Sequence, residues 1–138
     1  MPSYATQQDI IDRYGEETLL LLADRDDDQV IDGTVVDQAL ADASAEIDTY
    51  VAAKYPLPLP SVPDALVRLC VDIAIYRMAA SSDVATEEQR KRYEDARTLL
   101  RRISLGESSL GLPEPPASTN EAVFVSSQKR RFGRGRLL

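Results

Sequence analysis

The segment from residue 35 to residue 78 constrains the fold most, because it joins an amphipathic helical pattern to a stretch that is apolar on nearly all sides. Apolar residues recur every third or fourth position from Val35, which predicts a helix to about Lys54 with one buried face. Tyr55 precedes Pro56, and a proline ring disfavours helical dihedrals in the residue before it, so the chain becomes extended there. The apolar stretch from residue 62 to about residue 80 needs neighbours on several sides and is expected to form the centre of a bundle.

The face of the first long helix opposite its apolar residues is polar. Acidic residues mark that face: Asp37, Asp42, Glu46 and Asp48. In the second long helix, Asp64, Arg68 and Asp72 are spaced by four, so they lie on one stripe and are expected to pair with one another. Asp72 and Arg77 are interpreted as a structural ion pair rather than a catalytic pair.

Two short helices are expected before the long pair. Thr6 and Asp9 have the spacing of a capping box, which predicts a helix that ends at Tyr14 and Gly15. Glutamates at positions 16 and 17 favour the start of a second helix. Its apolar residues 19–22 must dock on another element.

Capping patterns predict where the three longer helices begin. Thr34 with Asp37 would open the first, and Ser61 with Asp64, with a proline in the first turn, would open the second. Residues 86 and 89 would cap a fifth helix that ends near Gly106. The apolar stripe of that helix is Tyr93, Ala96, Leu99, Leu100 and Ile103. We therefore predict an all-α fold, a small four- to five-helix bundle in residues 1–106.

Residues 107–138 are predicted to form an extended C-terminal arm. The arm begins with a Ser- and Pro-rich linker, and residues 121–126 then alternate in a manner typical of a strand. A lone strand is not stable in water, so we expect it to add to a sheet edge of another chain.

Charge is distributed unevenly along the chain. Residues 1–48 hold thirteen acidic side chains against Arg13 and Arg25, whereas residues 87–138 hold seven acids and eleven bases. Copies with oppositely charged ends can associate head to tail. The alternative is a set of solvated charged faces with a disordered tail. The basic end, with Phe132 available for stacking, suits either nucleic acid or an acidic protein surface.

The acidic segment 24–32 invites comparison with a calcium loop. Asp24, Asp26, Asp28 and Asp32 match ligand positions 1, 3, 5 and 9 of such a loop. The glycine of its turn and its bidentate glutamate are replaced by glutamine and valine. A calcium-dependent binding module therefore competes with an acidic turn, in which Asp32 or Thr34 caps the next helix.

The sequence offers little for catalysis. It contains no histidine, and its single cysteine, Cys70, has apolar neighbours that favour an inert core thiol. No cofactor or metal is expected, and an enzyme is not expected. The N-terminus lacks the features of a signal peptide, and no apolar run approaches the 18 to 20 residues, roughly, that span a bilayer, so no membrane partner is predicted. A cytoplasmic protein fits these features.

Sequence blocks between residues 4 and 112 resemble a family of virion proteins of Mu-like phages and prophages. The blocks are Tyr4-Ala-Thr, Arg13-Tyr-Gly-Glu-Glu, Asp24-Arg-Asp, Ile31-Asp, Ala39-Leu-Ala-Asp-Ala-Ser, Ile47-Asp-Thr-Tyr, Tyr55-Pro-Leu-Pro-Leu, Val62-Pro, the run from Leu66 to Arg77, Arg92-Tyr-Glu-Asp-Ala and Ser109-Leu-Gly-Leu112. The family resembles the head-tail connectors, also called adaptor or head-completion proteins, of tailed phages. The resemblance implies a structural role in the neck of the virion, in a homo-oligomeric ring of twelve copies assembled in the host cytoplasm.

The same resemblance implies the partners of the chain: a portal protein, a tail or neck protein, neighbouring copies in the ring, and DNA passing through it. Connector arms commonly reach along or into the portal ring, so partner binding, to the portal or to a neighbouring subunit, is assigned to the arm. The assigned residues are Ala122, Val123, Phe124, Val125, Lys129, Arg130, Arg131, Phe132, Arg134 and Arg136. The alternative function is that of a DNA-binding accessory or regulatory protein that uses the basic tail.

Overall fold

The structure is a computed structural model that describes residues 3–113, and within them the chain is all-α. Five helices follow one another as α1 (Gln7–Tyr14), α2 (Glu16–Ala23), α3 (Gly33–Val51), α4 (Asp64–Ser81) and α5 (Glu87–Ser104). The prediction of a small helical bundle is therefore confirmed.

Helix α4 forms the centre of the bundle and packs against each of the other four helices. Its buried residues lie all around the helix: Leu66, Leu69, Cys70, Val71, Ile73, Ala74, Ile75, Met78 and Ala79. Helix α3 instead buries one stripe, made of Val36, Ala39, Leu40, Ala43, Ser44, Ile47 and Val51. Both outcomes confirm the predicted division between an amphipathic helix and a central one.

The first two helices are held by the residues that sequence predicted. The Thr6 hydroxyl accepts the backbone N–H of Asp9, whose carboxylate accepts the N–H of Thr6 at 2.8 Å. Gly15 separates α1 from α2. Its φ is 90°, a backbone angle that residues other than glycine rarely adopt. In α2, Leu19 and Leu22 are buried, whereas Leu21 is 78% exposed. Only some of the apolar residues 19–22 therefore pack against the rest of the bundle.

Two predicted capping boxes are wrong. Helix α3 begins at Gly33 and α4 begins at Asp64, and neither Asp32 nor Pro63, the residues before them, makes a side-chain cap. The carbonyl oxygens of these two preceding residues accept the first-turn N–H groups instead. Thr86 with Gln89 does form the predicted capping box of α5.

Both ends of the described chain pack on the bundle. Tyr4 is 9% exposed, and its backbone N–H donates to the Ser44 hydroxyl at 3.0 Å. At the other end, Leu110 is also buried, and its N–H donates to the Tyr55 hydroxyl oxygen at 3.2 Å. The division into a domain of residues 1–106 and an arm of residues 107–138 stays a prediction, and the first residues after 106 contact the helical body.

Candidate functional site

The residues assigned to partner binding, Ala122–Val125 and the five bases and Phe132 of residues 129–136, lie outside the described residues. The same holds for the strand expected over 121–126. Both assignments stay predictions. Within residues 3–113, two charged surfaces are the candidates for interaction, and we call them the acidic loop (residues 24–32) and the basic patch (Arg97, Arg101 and Arg102).

The acidic loop joins α2 to α3 and is shaped by its own carboxylates. Asp24 accepts the backbone N–H groups of Asp28 and Gln29 at 3.1 and 2.9 Å. Asp28 in turn accepts the N–H of Val30 at 3.0 Å. These bonds close turns of the kind that aspartate favours, so the loop is an acidic turn between helices, which was one of its two predicted interpretations.

The calcium interpretation gains no support from this geometry. Asp24 and Asp28 face backbone N–H groups, and Asp32 accepts the N–H of Arg25 at 3.0 Å. Gln29 has φ of 66°, the left-handed value that the glycine of a calcium loop provides, but Val35 in place of the bidentate glutamate leaves the loop without that ligand. In the part of the chain that the structure describes, no group of three or more His, Cys, Asp or Glu side chains is arranged to hold a metal ion.

Negative charge accumulates at the tip of the acidic loop. The carboxylate of Asp26 is exposed, and the charge of Asp32, then partial desolvation and the charges of Asp28 and Asp24, raise its pKa above the ordinary value. A raised pKa of this origin means that the nearby charges repel one another. Val30, 60% exposed, adds an apolar side chain to this surface, so the loop offers both charge and apolar contact to a partner.

A network of tyrosine, arginine and glutamate joins α3, α4 and α5. Glu46 accepts from Arg77 at 2.5 Å and from the Tyr93 hydroxyl at 3.0 Å. The rings of Tyr93 and Tyr76 stack with centroids 4.5 Å apart. The Glu46 side chain is 13% exposed, so Glu46, which the sequence pattern places on the face opposite the apolar residues of α3, is largely covered by these contacts.

Asp72 makes a contact that sequence reasoning missed. Its carboxylate accepts from the Tyr14 hydroxyl at 2.6 Å, so neither the predicted pair with Arg77 nor the stripe with Asp64 and Arg68 describes its role. Burial, and then this hydrogen bond, raise the pKa of Tyr14 to about 12. The Arg92 guanidinium lies over the Tyr14 ring, 5.3 Å from its centroid. Asp72 thus fastens α1 to α4.

The basic patch occupies the second half of α5. In the first half, Arg90 pairs with Glu87 at 3.2 Å and Arg92 with Glu88 at 3.0 Å. No acidic residue lies between Arg97 and Arg102 in the sequence, and the side chains of the three arginines are exposed. A groove beside it, between α3 and α5, is lined by Tyr50, Glu94, Arg97, Thr98 and Arg101.

Arg97 is the residue of the patch that the fold positions most firmly. Its guanidinium lies 5.7 Å from the Tyr93 ring centroid. A hydrogen bond from its side chain to Tyr50 raises its pKa above the ordinary value. Arginine beside tyrosine is a combination enriched at protein interfaces.

The remaining chemical candidate, Cys70, is buried as predicted. Its sulfur lies 3.6 Å from the Ser44 hydroxyl oxygen. Burial raises the pKa of the thiol, which disfavours the nucleophilic thiolate. Within residues 3–113, no helix is long and apolar enough to cross a membrane.

Replacing Glu46 by alanine should lower the free energy of unfolding by about 1–2 kcal/mol, because the half-buried Tyr93 hydroxyl and the exposed Arg77 lose a charged acceptor. Arg77 is 40% exposed, so the Glu46–Arg77 coupling in a double-mutant cycle should be below about 1 kcal/mol. Urea denaturation of the variants measures both values. Glu94→Ala is the control and should change stability by no more than about 0.5 kcal/mol; an equal loss in both variants would contradict the network.

Comparison with known proteins gives a family and two close relatives. A family model described as Bacteriophage Mu, Gp36 matches residues 4–127. The Mu-like prophage FluMu protein gp36 of Haemophilus influenzae is 38% identical over 130 residues, which cover 92% of this chain and 91% of that protein. Gene product J of Escherichia phage Mu is 36% identical over 136 residues, which cover 96% and 95%. The similarity therefore extends over nearly the whole length of each chain.

Proposed function

Because this chain belongs to the bacteriophage Mu Gp36 family, we propose that it is a structural virion protein, a head-tail connector in the neck of the particle. In this role, copies form a ring between the portal and the tail, and the C-terminal arm of each copy binds the portal. The ring has twelve copies if it follows a twelvefold portal.

The observation that carries the proposal is the extent of the family match. Leu110 and Leu112, near the end of the described residues, pack on the helical body, and the family model continues to residue 127. The matched region therefore includes residues 122–125, the apolar segment assigned to partner binding. We assign this matched segment, which follows the described helices in sequence, to contact with another molecule.

The described surfaces favour association over catalysis. The ionisable side chains that sequence offered as candidates are engaged in fastening the fold: Asp24 and Asp28 shape a loop, Asp72 binds Tyr14, and Glu46 binds Tyr93 and Arg77. The acidic loop and the basic patch instead keep charged side chains exposed to solvent. Surfaces of this kind position partners and steer encounters.

Deleting residues 114–138 tests the proposal. The truncated chain keeps the described contacts of the bundle, so it should fold, but its affinity for purified portal should fall at least about tenfold because the arm is lost. Co-sedimentation with portal measures the affinity, and circular dichroism checks the fold. Portal binding equal to that of the full chain would refute the role of the arm.

A matched variant separates charge from the apolar segment of the arm. Substituting Arg130, Arg131, Arg134 and Arg136 together by serine removes charge but keeps residues 122–125, so its effect on portal binding should shrink at high salt. The alternative of a DNA-binding accessory protein predicts a different result. It requires a tail-dependent mobility shift of DNA at moderate salt, without portal binding.

A further inference from the structure

We propose that the acidic loop of one copy docks on the basic patch and the adjoining α3–α5 groove of the next copy, head to tail. The inference rests on the ring proposed above and names the surfaces that join its subunits. The occupant of the groove is thus a second copy of this chain, presenting residues 24–32.

The two surfaces stand at opposite ends of α3. The acidic loop ends directly before Gly33, the first residue of α3, and Tyr50, which lines the groove, is the last but one. Seventeen residues separate them, which corresponds to about 25 Å of helix. Charges that far apart are screened from each other at physiological ionic strength, where the Debye length is about 8 Å. One copy therefore cannot neutralise its own loop with its own patch.

The charges of the two surfaces are complementary. The loop contains five aspartates and Arg25, and the crowding of these carboxylates raises the pKa of Asp26. The patch supplies three arginines; Glu94 lines the groove beside them, and the charge of Glu46 in the same copy acts on Arg97, so Arg101 and Arg102 offer the positive charge farthest from these acids. Helix dipoles favour acids before α3 and bases at the end of α5. They do not account for Asp26, which lies well before the first turn of α3.

Exposed apolar side chains accompany the charges on both sides. Leu21, in the last turn of α2 beside the loop, is 78% exposed, and Val30, within the loop, is 60% exposed. Leu105 follows Arg101 by four residues and is 66% exposed. Apolar contacts surrounded by charge match the composition of protein–protein interfaces. Because loop and patch are different surfaces, the contact is heterologous, and repetition of such a contact closes a ring when the rotation allows it.

Charge reversal in the full-length chain tests the inference. Asp26→Arg reverses the loop, and Arg101→Glu reverses the patch. Sedimentation velocity at low salt, over a range of protein concentrations and with and without purified portal, measures self-association. Each variant alone should associate about tenfold or more weakly than the wild type, since like charges then face each other.

An equimolar mixture of the two variants should restore association to nearly the wild-type level. In an alternating array, every loop then meets a patch of opposite charge, which is a signature of head-to-tail contact. Asp12→Arg and Lys91→Glu, on exposed positions of α1 and the first half of α5, are the charge-matched controls and should associate like the wild type.

The inference is overturned if the reversed variants associate as well as the wild type, if mixing restores nothing, or if the wild type stays monomeric both alone and with portal. Wild-type self-association with the expected charge dependence supports it even where portal binding is absent. In that case the proposed neck function fails and the contact between copies stands.

Discussion

Replacing Leu69 by alanine is expected to lower the free energy of unfolding by about 3 kcal/mol. Leu69 is 2% exposed and lies in α4, the helix that packs against all the others. Truncation removes its transfer free energy and leaves a cavity that the surrounding helices fill only partly. Small domains are stable by about 5–15 kcal/mol in total, so the loss should be plain in urea denaturation followed by circular dichroism.

The same chemical change on the surface provides the control. Leu21 is 78% exposed, so Leu21→Ala should alter stability by no more than about 0.5 kcal/mol. If the two leucine substitutions cost the same, α4 would not be the centre of the core. Leu21→Ala also removes an apolar side chain beside the acidic loop, so this variant can affect association between copies while it leaves the fold intact.

Periodicity predicted the long helices well because burial of apolar area dominates their energetics. A stripe of Ala39, Ala43 and Ile47 fits one arrangement, a helix with a single buried face, and residues 62–80 fit a helix buried on several sides. The structure confirms both. The caps at the helix N-termini were predicted less well: Thr6 and Thr86 cap their helices as predicted, but Thr34 and Ser61 do not. Capping energies of about 1 kcal/mol are easily outweighed by packing.

The polar contacts between helices were the part that sequence could not supply. Glu46 and Asp48 fall on the polar side of the α3 pattern, yet Glu46 binds Tyr93 and Asp48 accepts from the Tyr4 hydroxyl. Such bonds depend on which helices become neighbours, which periodicity does not specify. A signal was present, since Glu46 follows the buried Ala43 by three residues and so adjoins the buried stripe.

The charged surfaces were predicted in part. Uneven charge along the chain indicated opposed ends and head-to-tail association, with a basic end over residues 87–138 whose densest run is residues 129–136. The densest run lies outside the described residues, whereas Arg97, Arg101 and Arg102 of α5 form an exposed basic surface within them. The placement of Arg97 beside Tyr50 and Tyr93 depends on the packing of α5 against α3, so only the folded chain reveals it.

Alkaline pH is expected to destabilise the fold by roughly 3 kcal/mol between pH 10 and pH 12, through tyrosines that donate to carboxylates. Tyr14 donates to Asp72, Tyr4 to Asp48 and Tyr93 to Glu46. Burial, then these bonds, raise the pKa of all three, that of Tyr14 to about 12. A tyrosine of the unfolded chain ionises near pH 10, so above that pH the unfolded state holds fewer protons. The free energy of unfolding therefore falls as pH rises through the raised values.

Urea denaturation at pH 8, 10 and 11.5, roughly, measures this loss, which ideally approaches 1.4 kcal/mol per pH unit for each tyrosine and is reduced by solvent screening of partly exposed rings. Tyr14→Phe removes one of the three ionisations. At pH 8 the substitution should lower the free energy of unfolding by about 1 kcal/mol, because the hydrogen bond to Asp72 is lost. Above pH 10 the stability of the variant should fall less steeply than that of the wild type. Tyrosinate absorbance of the folded chain should report ionisation above the ordinary value. Parallel pH profiles for the two proteins would contradict the Tyr14–Asp72 bond, because a tyrosine ionising alike in both states contributes no pH dependence to stability.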